Sequence, residues 1–287
     1  PGEAMATLEL DATSRQWITD QVRSGREPFE LVHDMQAQGW QQDQALAAVQ
    51  DVIHGLMVEH ARANGLPEPT PVPEPMDRAG PHLLDGGDRR VAVLANLRHP
   101  RVVVMGGLLS DEECDGLIEL ARQCLQRSET FLLDEGVSQV HEARTSEGMF
   151  FARGENALCQ RIEARLARLC AWPVEFGEGL QILRYGPGAE YKPHFDYFDP
   201  EKSGTAGILS NGGQRVASIV MYLNNPEAGG ETTFPDAGFN VSPFKGNAVF
   251  FSYDRPHPMT GTRHGGAPVL AGEKWVATKW LRLGEYR

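Results

Sequence analysis

Apolar positions recur at helical spacing near the start of the chain and at strand spacing over most of its second half. Trp17, Ile18, Gln21 and Val22 are spaced as one helix face, which Thr13 or Ser14 can cap and Gly25 stops. Pro28 stands where a second helix would begin, carrying Phe29, Leu31, Val32 and Met35 and ending at Gly39. After Trp40 a third helix carries Ala45, Leu46, Ala48, Val49, Val52, Ile53 and Leu56. From about residue 90 the texture changes. Arg90–Leu97 and Arg101–Met105 are β-branched runs split by His99-Pro100. Ser110-Asp-Glu-Glu113 is a capping box that opens a helix with Cys114, Leu117, Ile118, Ala121, Cys124 and Leu125 inward. A strand at Met149–Phe151 and a helix over Glu155–Cys170 follow. Beyond Pro173, the best strands are Leu180–Tyr185, Gln214–Leu223, Asn247–Ser252 and Lys274–Leu281. This order predicts an α+β chain: a jelly-roll (double-stranded β-helix) core with supporting helices on its outer face, plus a small N-terminal three-helix domain.

Pro67, Pro69, Pro71, Pro73 and Pro75 alternate with other residues, which removes backbone donors and favours an extended, semi-rigid spacer. The predicted organisation is therefore a helical domain over 1–64, a proline-rich linker over 65–89 and a catalytic domain over 90–287. With Gly39-Trp40 between its second and third helices, the first domain resembles a ubiquitin-associated three-helix bundle. That resemblance implies recruitment of a protein partner; a packing or dimerisation appendage is the plainer alternative.

Composition narrows the setting. A net charge of −12 argues against a general binder of nucleic acid or anionic membrane. No apolar run reaches the roughly 18 residues that span a bilayer, and Pro1–Met5 lacks the features of a signal peptide. Cys114, Cys124, Cys159 and Cys170 form no CxxC pair and fall in helix-like segments, which points to reduced, buried thiols and a cytoplasmic location.

The chemistry gathers around Tyr185-Gly-Pro-Gly-Ala-Glu-Tyr191-Lys-Pro-His194-Phe-Asp196-Tyr197. Side chains two apart in an extended segment share a side, so His194 and Asp196 can both reach one metal. A third ligand must come from elsewhere, and His264 is the candidate. Two histidines and one carboxylate with positions left open form the facial triad of non-haem Fe(II) oxygenases. Ten residues after His264, Lys274 is a fixed cation suited to a dicarboxylate cosubstrate. His257 lacks a lysine at that interval and reads as a turn residue. The remaining histidines (His33, His54, His60, His82, His99 and His141) show no ligand spacing.

These motifs, with Leu180-Gln-Ile-Leu-Arg-Tyr185, Gly213-Gln-Arg-Val216, Met221-Tyr-Leu-Asn224, Gly229-Gly-Glu-Thr-Thr-Phe-Pro235 and the segment His264–Trp280, carry a resemblance. Residues from about 100 to 283 resemble the prolyl 4-hydroxylase family of Fe(II)/2-oxoglutarate dioxygenases, of bacterial type with an extra N-terminal helical domain. The resemblance implies that His194, Asp196 and His264 bind Fe(II). It also implies that Lys274 pairs with the distal carboxylate of 2-oxoglutarate, helped by Tyr185 and Thr233, with Tyr222 either a contact or a packing residue. Tyr191, Arg215 and Trp280 match the peptide side of the site, and Arg144 and Ser146 match a loop that folds over the substrate. The expected reaction consumes dioxygen and 2-oxoglutarate, with ascorbate as reductant, and hydroxylates a peptidyl proline at the 4-position, releasing succinate and carbon dioxide. Asp196 keeps a carboxylate where halogenating relatives lack one, which favours hydroxylation. The same chemistry on a free amino acid, a non-proline residue or a small metabolite is the enzymatic alternative. An iron- and 2-oxoglutarate-responsive binding module is the non-enzymatic one. The glycine-rich stretch Asp199–Gly213 is a lid candidate.

Overall fold

The computed structural model describes residues 10–75, 82–127, 130–132, 137–139 and 146–287. It resolves into two compact units that meet at Pro69 and Thr70.

The first unit holds three helices, Ala12–Arg23, Pro28–Ala37 and Gln42–Ala63. Ile18, Leu31, Val32, Met35, Ala45, Ala48, Val49 and Val52 form its core. Two expectations are corrected here. The first helix is capped by Asp11, not by Thr13 or Ser14, because the Asp11 carboxylate accepts from the Ser14 N–H at 2.7 Å and places both hydroxyl residues inside the first turn. Phe29 and Leu46, assigned to the apolar faces, remain 43% and 39% exposed, since alanines and valines on the third helix already close the small core.

The second unit begins earlier than the composition implied. The Thr70 N–H donates to the Asp254 carbonyl at 2.7 Å, Arg101 grips Glu74, and Pro73 and Pro75 are buried. Leu83–Asp85 is a strand paired with Arg90–Leu97. Residues 70–75 and 83–85 of the stretch expected as a semi-rigid linker therefore belong to the catalytic unit.

A nine-stranded antiparallel sheet dominates this unit. Its spatial order is 83–85, 90–97, 101–106, 248–252, 215–222, 274–282, 180–185, 147–151 and 126–127. A smaller antiparallel sheet runs 239–241, 232–234, 264–266 and 191–194. The central strands of the large sheet are buried on both faces, which is why they read as unbroken apolar runs. Leu180 and Ile182, Ala217, Ile219 and Met221, and Trp275 and Ala277 pack against the helices Asp111–Arg122 and Ala157–Cys170. The alternate positions Leu183 and Tyr185, Tyr222, and Val276 pack on the other side with Phe234 and Val241 of the small sheet. Two facing sheets with helices on one outer face form the expected jelly-roll arrangement.

Both supporting helices start on side-chain caps. The Ser110 hydroxyl accepts from the Glu113 N–H at 3.1 Å while the Glu113 carboxylate accepts from the Ser110 N–H at 3.0 Å. Asn156 accepts from the Cys159 N–H at 2.9 Å, so the second helix starts at Ala157 rather than Glu155. Glu113 also receives two N–H groups of buried Arg165, both at 2.8 Å, which ties the helices together. Cys114, Cys159 and Cys170 are buried free thiols and Cys124 is exposed. Among the described residues no helix is long and apolar enough to cross a membrane.

Candidate active site

The cavity opens between the two sheets, and alternation decides what lines it. Gln181, Leu183 and Tyr185 come from one strand of the large sheet, and Lys274, Val276, Thr278 and Trp280 from its neighbour. Tyr191, His194, Thr232, His264, Gly265 and Gly266 come from the small sheet, and Asp196 follows just beyond its 191–194 strand.

His194 and His264 are direct partners across the antiparallel pair, with ring centroids 4.5 Å apart. Their strands can approach because position 265 is glycine: a Cβ there would sit 2.7 Å from the Tyr191 carbonyl oxygen. Asp196 completes the set. His194 Nε2 is 3.3 Å from Asp196 Oδ1, and His264 Nε2 is 3.5 Å from Asp196 Oδ2. One ligand atom from each residue lies within 4.8 Å of the others.

Hydrogen bonding orients each group. His194 Nδ1 meets the Lys192 carbonyl at 2.9 Å and His264 Nδ1 meets the Thr262 carbonyl at 3.0 Å. A carbonyl only accepts, so both Nδ1 atoms carry the proton and both Nε2 lone pairs face the centre. Burial, reinforced by His194 against the opposing pull of Asp196, lowers the His264 pKa to about 4 and keeps the imidazole neutral. Burial by itself would raise the Asp196 pKa. The neighbouring His264, His194 and Arg215 outweigh it and hold the carboxyl well below its ordinary value. Two neutral imidazole nitrogens and one carboxylate fit a divalent iron, manganese or cobalt ion.

Lys274 lies across the cavity, 4% exposed, with Nζ 5.4 Å from the Tyr185 ring centroid and 6.0 Å from that of Tyr222. Among the described residues it makes no ion pair, and burial, opposed by Glu231, lowers its pKa to about 8. A buried cation without a partner is a site for an anion. Tyr222 does not line the cavity. Its hydroxyl donates to Thr232 Oγ1 at 2.7 Å, and Thr232 does line it. Thr233, expected at the cosubstrate, points the other way and donates to the Gly265 carbonyl at 3.4 Å. The strand 232–234 alternates, so the two threonines cannot share a face.

Tyr191 stacks on His194, with centroids 3.8 Å apart. Arg215 is clamped by Glu178 through Nε at 2.7 Å and Nη2 at 2.9 Å and lies over the Trp280 ring at 3.9 Å. Trp280 Nε1 donates to Asp196 Oδ2 at 2.9 Å. Ser146 is buried ahead of the strand Glu147–Phe151, and Arg144 lies outside the described residues. His257 closes a turn, accepting from the Met259 N–H at 3.1 Å. The lid candidate carries a short helix, Thr205–Leu209, and is pinned where the Gln214 side chain bridges the Phe198 N–H and carbonyl. Thr232, Gln181, Thr278, Ser218 and Glu178 were not singled out from the sequence; strand alternation counted from Lys274 would have found Thr278.

The family model of the 2OG-Fe(II) oxygenase superfamily matches residues 180–282, which contain the triad and Lys274. Prolyl 4-hydroxylase 2 of Arabidopsis thaliana is 41% identical over 212 residues, covering 65% of this chain and 69% of that protein. The chain belongs to the prolyl 4-hydroxylase family. Probable prolyl 4-hydroxylase 3 of the same plant, another member, is 38% identical over 222 residues, covering 70% of this chain and 75% of its own. The crystal structure of a viral collagen prolyl hydroxylase from Paramecium Bursaria Chlorella virus-1 is 31% identical and covers 63% of this chain and 95% of its own, at a TM-score of 0.48. As a member of this family, the chain is a 2-oxoglutarate-dependent dioxygenase whose cofactors are Fe(II), 2-oxoglutarate and dioxygen.

Proposed function

We propose that this chain hydroxylates a prolyl residue at the 4-position in a peptide or protein, with His194, Asp196 and His264 holding Fe(II) and Lys274 holding 2-oxoglutarate. The observation that carries the reading is a buried Lys274, without an ion-pair partner among the described residues, in the same cavity as the His-Asp-His set, in a chain 41% identical over 212 residues to a prolyl 4-hydroxylase. Bound Fe(II) supplies dioxygen activation coupled to decarboxylation of 2-oxoglutarate to succinate and carbon dioxide, with ascorbate as reductant.

The chain's own residues supply position and dryness. Lys274 Nζ meets the distal carboxylate as a charge-assisted donor. Thr232 Oγ1 already accepts from Tyr222, so its own proton is available to that carboxylate. Leu183, Val220 and Val276 line the cavity with apolar surface that excludes water. Tyr191 and Trp280 border the iron side with aromatic surface suited to a proline ring, and Arg215, fixed by Glu178 over the Trp280 ring, is the cation beside that surface. Ser146, buried just ahead of the strand Glu147–Phe151, stands on the substrate side in this reading. The three-helix unit recruits a protein partner in this reading, and the cytoplasm is its setting.

The test is succinate formation from 2-oxoglutarate with Fe(II), ascorbate and a panel of proline-containing peptides, with product mass spectrometry. Peptide-stimulated turnover with one oxygen gained on proline is the expected result. Turnover uncoupled from every peptide, but coupled to a free amino acid or metabolite, would overturn the peptidyl-proline assignment.

A further inference from the structure

The Asp196 carboxylate is held by both sheets. On the small-sheet side, Oδ1 faces His194 Nε2 at 3.3 Å. On the large-sheet side, Oδ2 accepts from Ser218 Oγ at 2.6 Å and from Trp280 Nε1 at 2.9 Å. Ser218 and Trp280 are direct partners on adjacent strands, so one antiparallel pair aims two donors at a single oxygen. Behind them Tyr253, itself buried, places its hydroxyl 3.0 Å from Ser218 Oγ.

The proton directions follow from chemistry. An ionised carboxylate only accepts and an indole N–H only donates. The single Ser218 proton must therefore go to Asp196, and the Tyr253 hydroxyl must be the donor to Ser218. With two protein donors on Oδ2, Oδ1 is the oxygen left for a metal.

We propose that Ser218 and Trp280, with Tyr253 acting through Ser218, are positioning residues that make Asp196 a one-oxygen ligand and thereby set the affinity of the site for its divalent metal. The inference rests on the metal-centre reading given above. Ser218 is fully buried, and without the carboxylate the Tyr253 hydroxyl would be its remaining partner among the described residues. A purely structural role would predict lost stability and unchanged metal affinity. A positioning role predicts the reverse, because a carboxylate that swings or offers both oxygens no longer matches the two fixed imidazoles.

The experiment titrates the full metal-free chain with Co(II), followed by calorimetry and by the visible ligand-field bands. S218A and W280F are each expected to weaken binding by roughly 10- to 100-fold and to change the band shape. S218T, which keeps the hydroxyl, restores most of the affinity. Y253F gives a smaller loss, and none beyond that of S218A when the two are combined, because its effect passes through the serine. Co(II) affinity and bands unchanged in both S218A and W280F would overturn the proposal. Should S218A not fold, W280F and Y253F carry the same comparison. If H264A binds Co(II) as tightly as the unaltered chain, the metal-centre reading fails and takes this inference with it. If H264A loses binding while S218A and W280F keep it, only this inference fails.

Discussion

Raising the pH is expected to weaken 2-oxoglutarate binding through Lys274 while strengthening the fold. Burial lowers the Lys274 pKa from 10.5 to about 8, with only Glu231 pulling the other way, and the faces of Tyr185 and Tyr222 offer weak compensation. At about 1.4 kcal/mol per tenfold change in protonation, the burial costs the charged form about 3 kcal/mol. An incoming carboxylate supplies the missing partner, so the pKa in the complex rises back toward that of an ordinary lysine. Below about pH 8 the free protein already carries the charge, and affinity is flat. Above it, binding requires proton uptake, and the Kd should rise about tenfold per pH unit.

Stability runs the opposite way, because the unfolded chain binds more protons than the folded one between the two pKa values. Unfolding free energy should therefore gain from this group as pH rises from about 8 to 10.5. Calorimetric titration of the Mn(II)-loaded protein with 2-oxoglutarate, between about pH 6.5 and 9 and in two buffers of different protonation enthalpy, measures both the slope and the proton uptake. K274A should weaken binding by roughly 10- to 100-fold and remove the slope. K274R stays charged throughout and should flatten it. A pH-independent Kd in the unaltered chain, or an undiminished slope in K274R, would refute the assignment by placing the proton elsewhere.

Other substitutions separate the parts of the site. H264A should lower turnover by about 1000-fold or more, read as succinate formation, because one of three ligands is lost. T232V should raise the KM for 2-oxoglutarate by roughly 10-fold while T233V leaves it nearly unchanged, since only Thr232 faces the cavity. G265A should cost about 1–3 kcal/mol in a denaturant melt and impair Co(II) binding, because the new methyl lies 2.7 Å from the Tyr191 carbonyl oxygen and pushes the two histidine strands apart. E113A should destabilise by roughly 1–3 kcal/mol, leaving buried Arg165 with Asp88 but without the carboxylate on the neighbouring helix. In the unaltered chain, Arg165, the Ser110 N–H and Arg161 overcome the burial that would raise the Glu113 pKa and lower it from 4.5 to about 2. That contribution to stability is present above pH 4.5 and is lost as the pH falls toward 2, which acid titration of the melt can follow.

What could be read from the sequence and what could not divides along a physical line. His194, Asp196, His264 and Lys274 combine metal-ligand and cation chemistry at intervals that one site can use, so the four together stand out in the sequence. The large-sheet strands were readable because burial on both faces leaves long apolar runs, and Leu180–Tyr185 begins and ends where those runs do. The helix through Asp111–Arg122 was readable from a local capping box. The choice between Thr232 and Thr233 was not, because neighbouring threonines are chemically alike and a single step of register exchanges their faces. The extended stretch 70–75 failed for a related reason. Alternating proline does specify an extended backbone, but whether that backbone is solvated or laid on a neighbour depends on the Asp254 carbonyl, far along the chain.

Ser218 is the extreme case. Nothing about a serine in a strand marks it, and its importance arises only from pairing with Trp280 and from the reach of Asp196 across the gap between the sheets. Alternation from Lys274 places Trp280 inward on the same strand, since three two-residue steps separate them. Register then transfers that inward direction to Ser218 on the next strand. Ligands can thus be found by composition and spacing, whereas the groups that aim them emerge only once strand pairing is known. A search for such positioning residues in related chains should start from the pairing partner of the tryptophan six residues after the cosubstrate lysine.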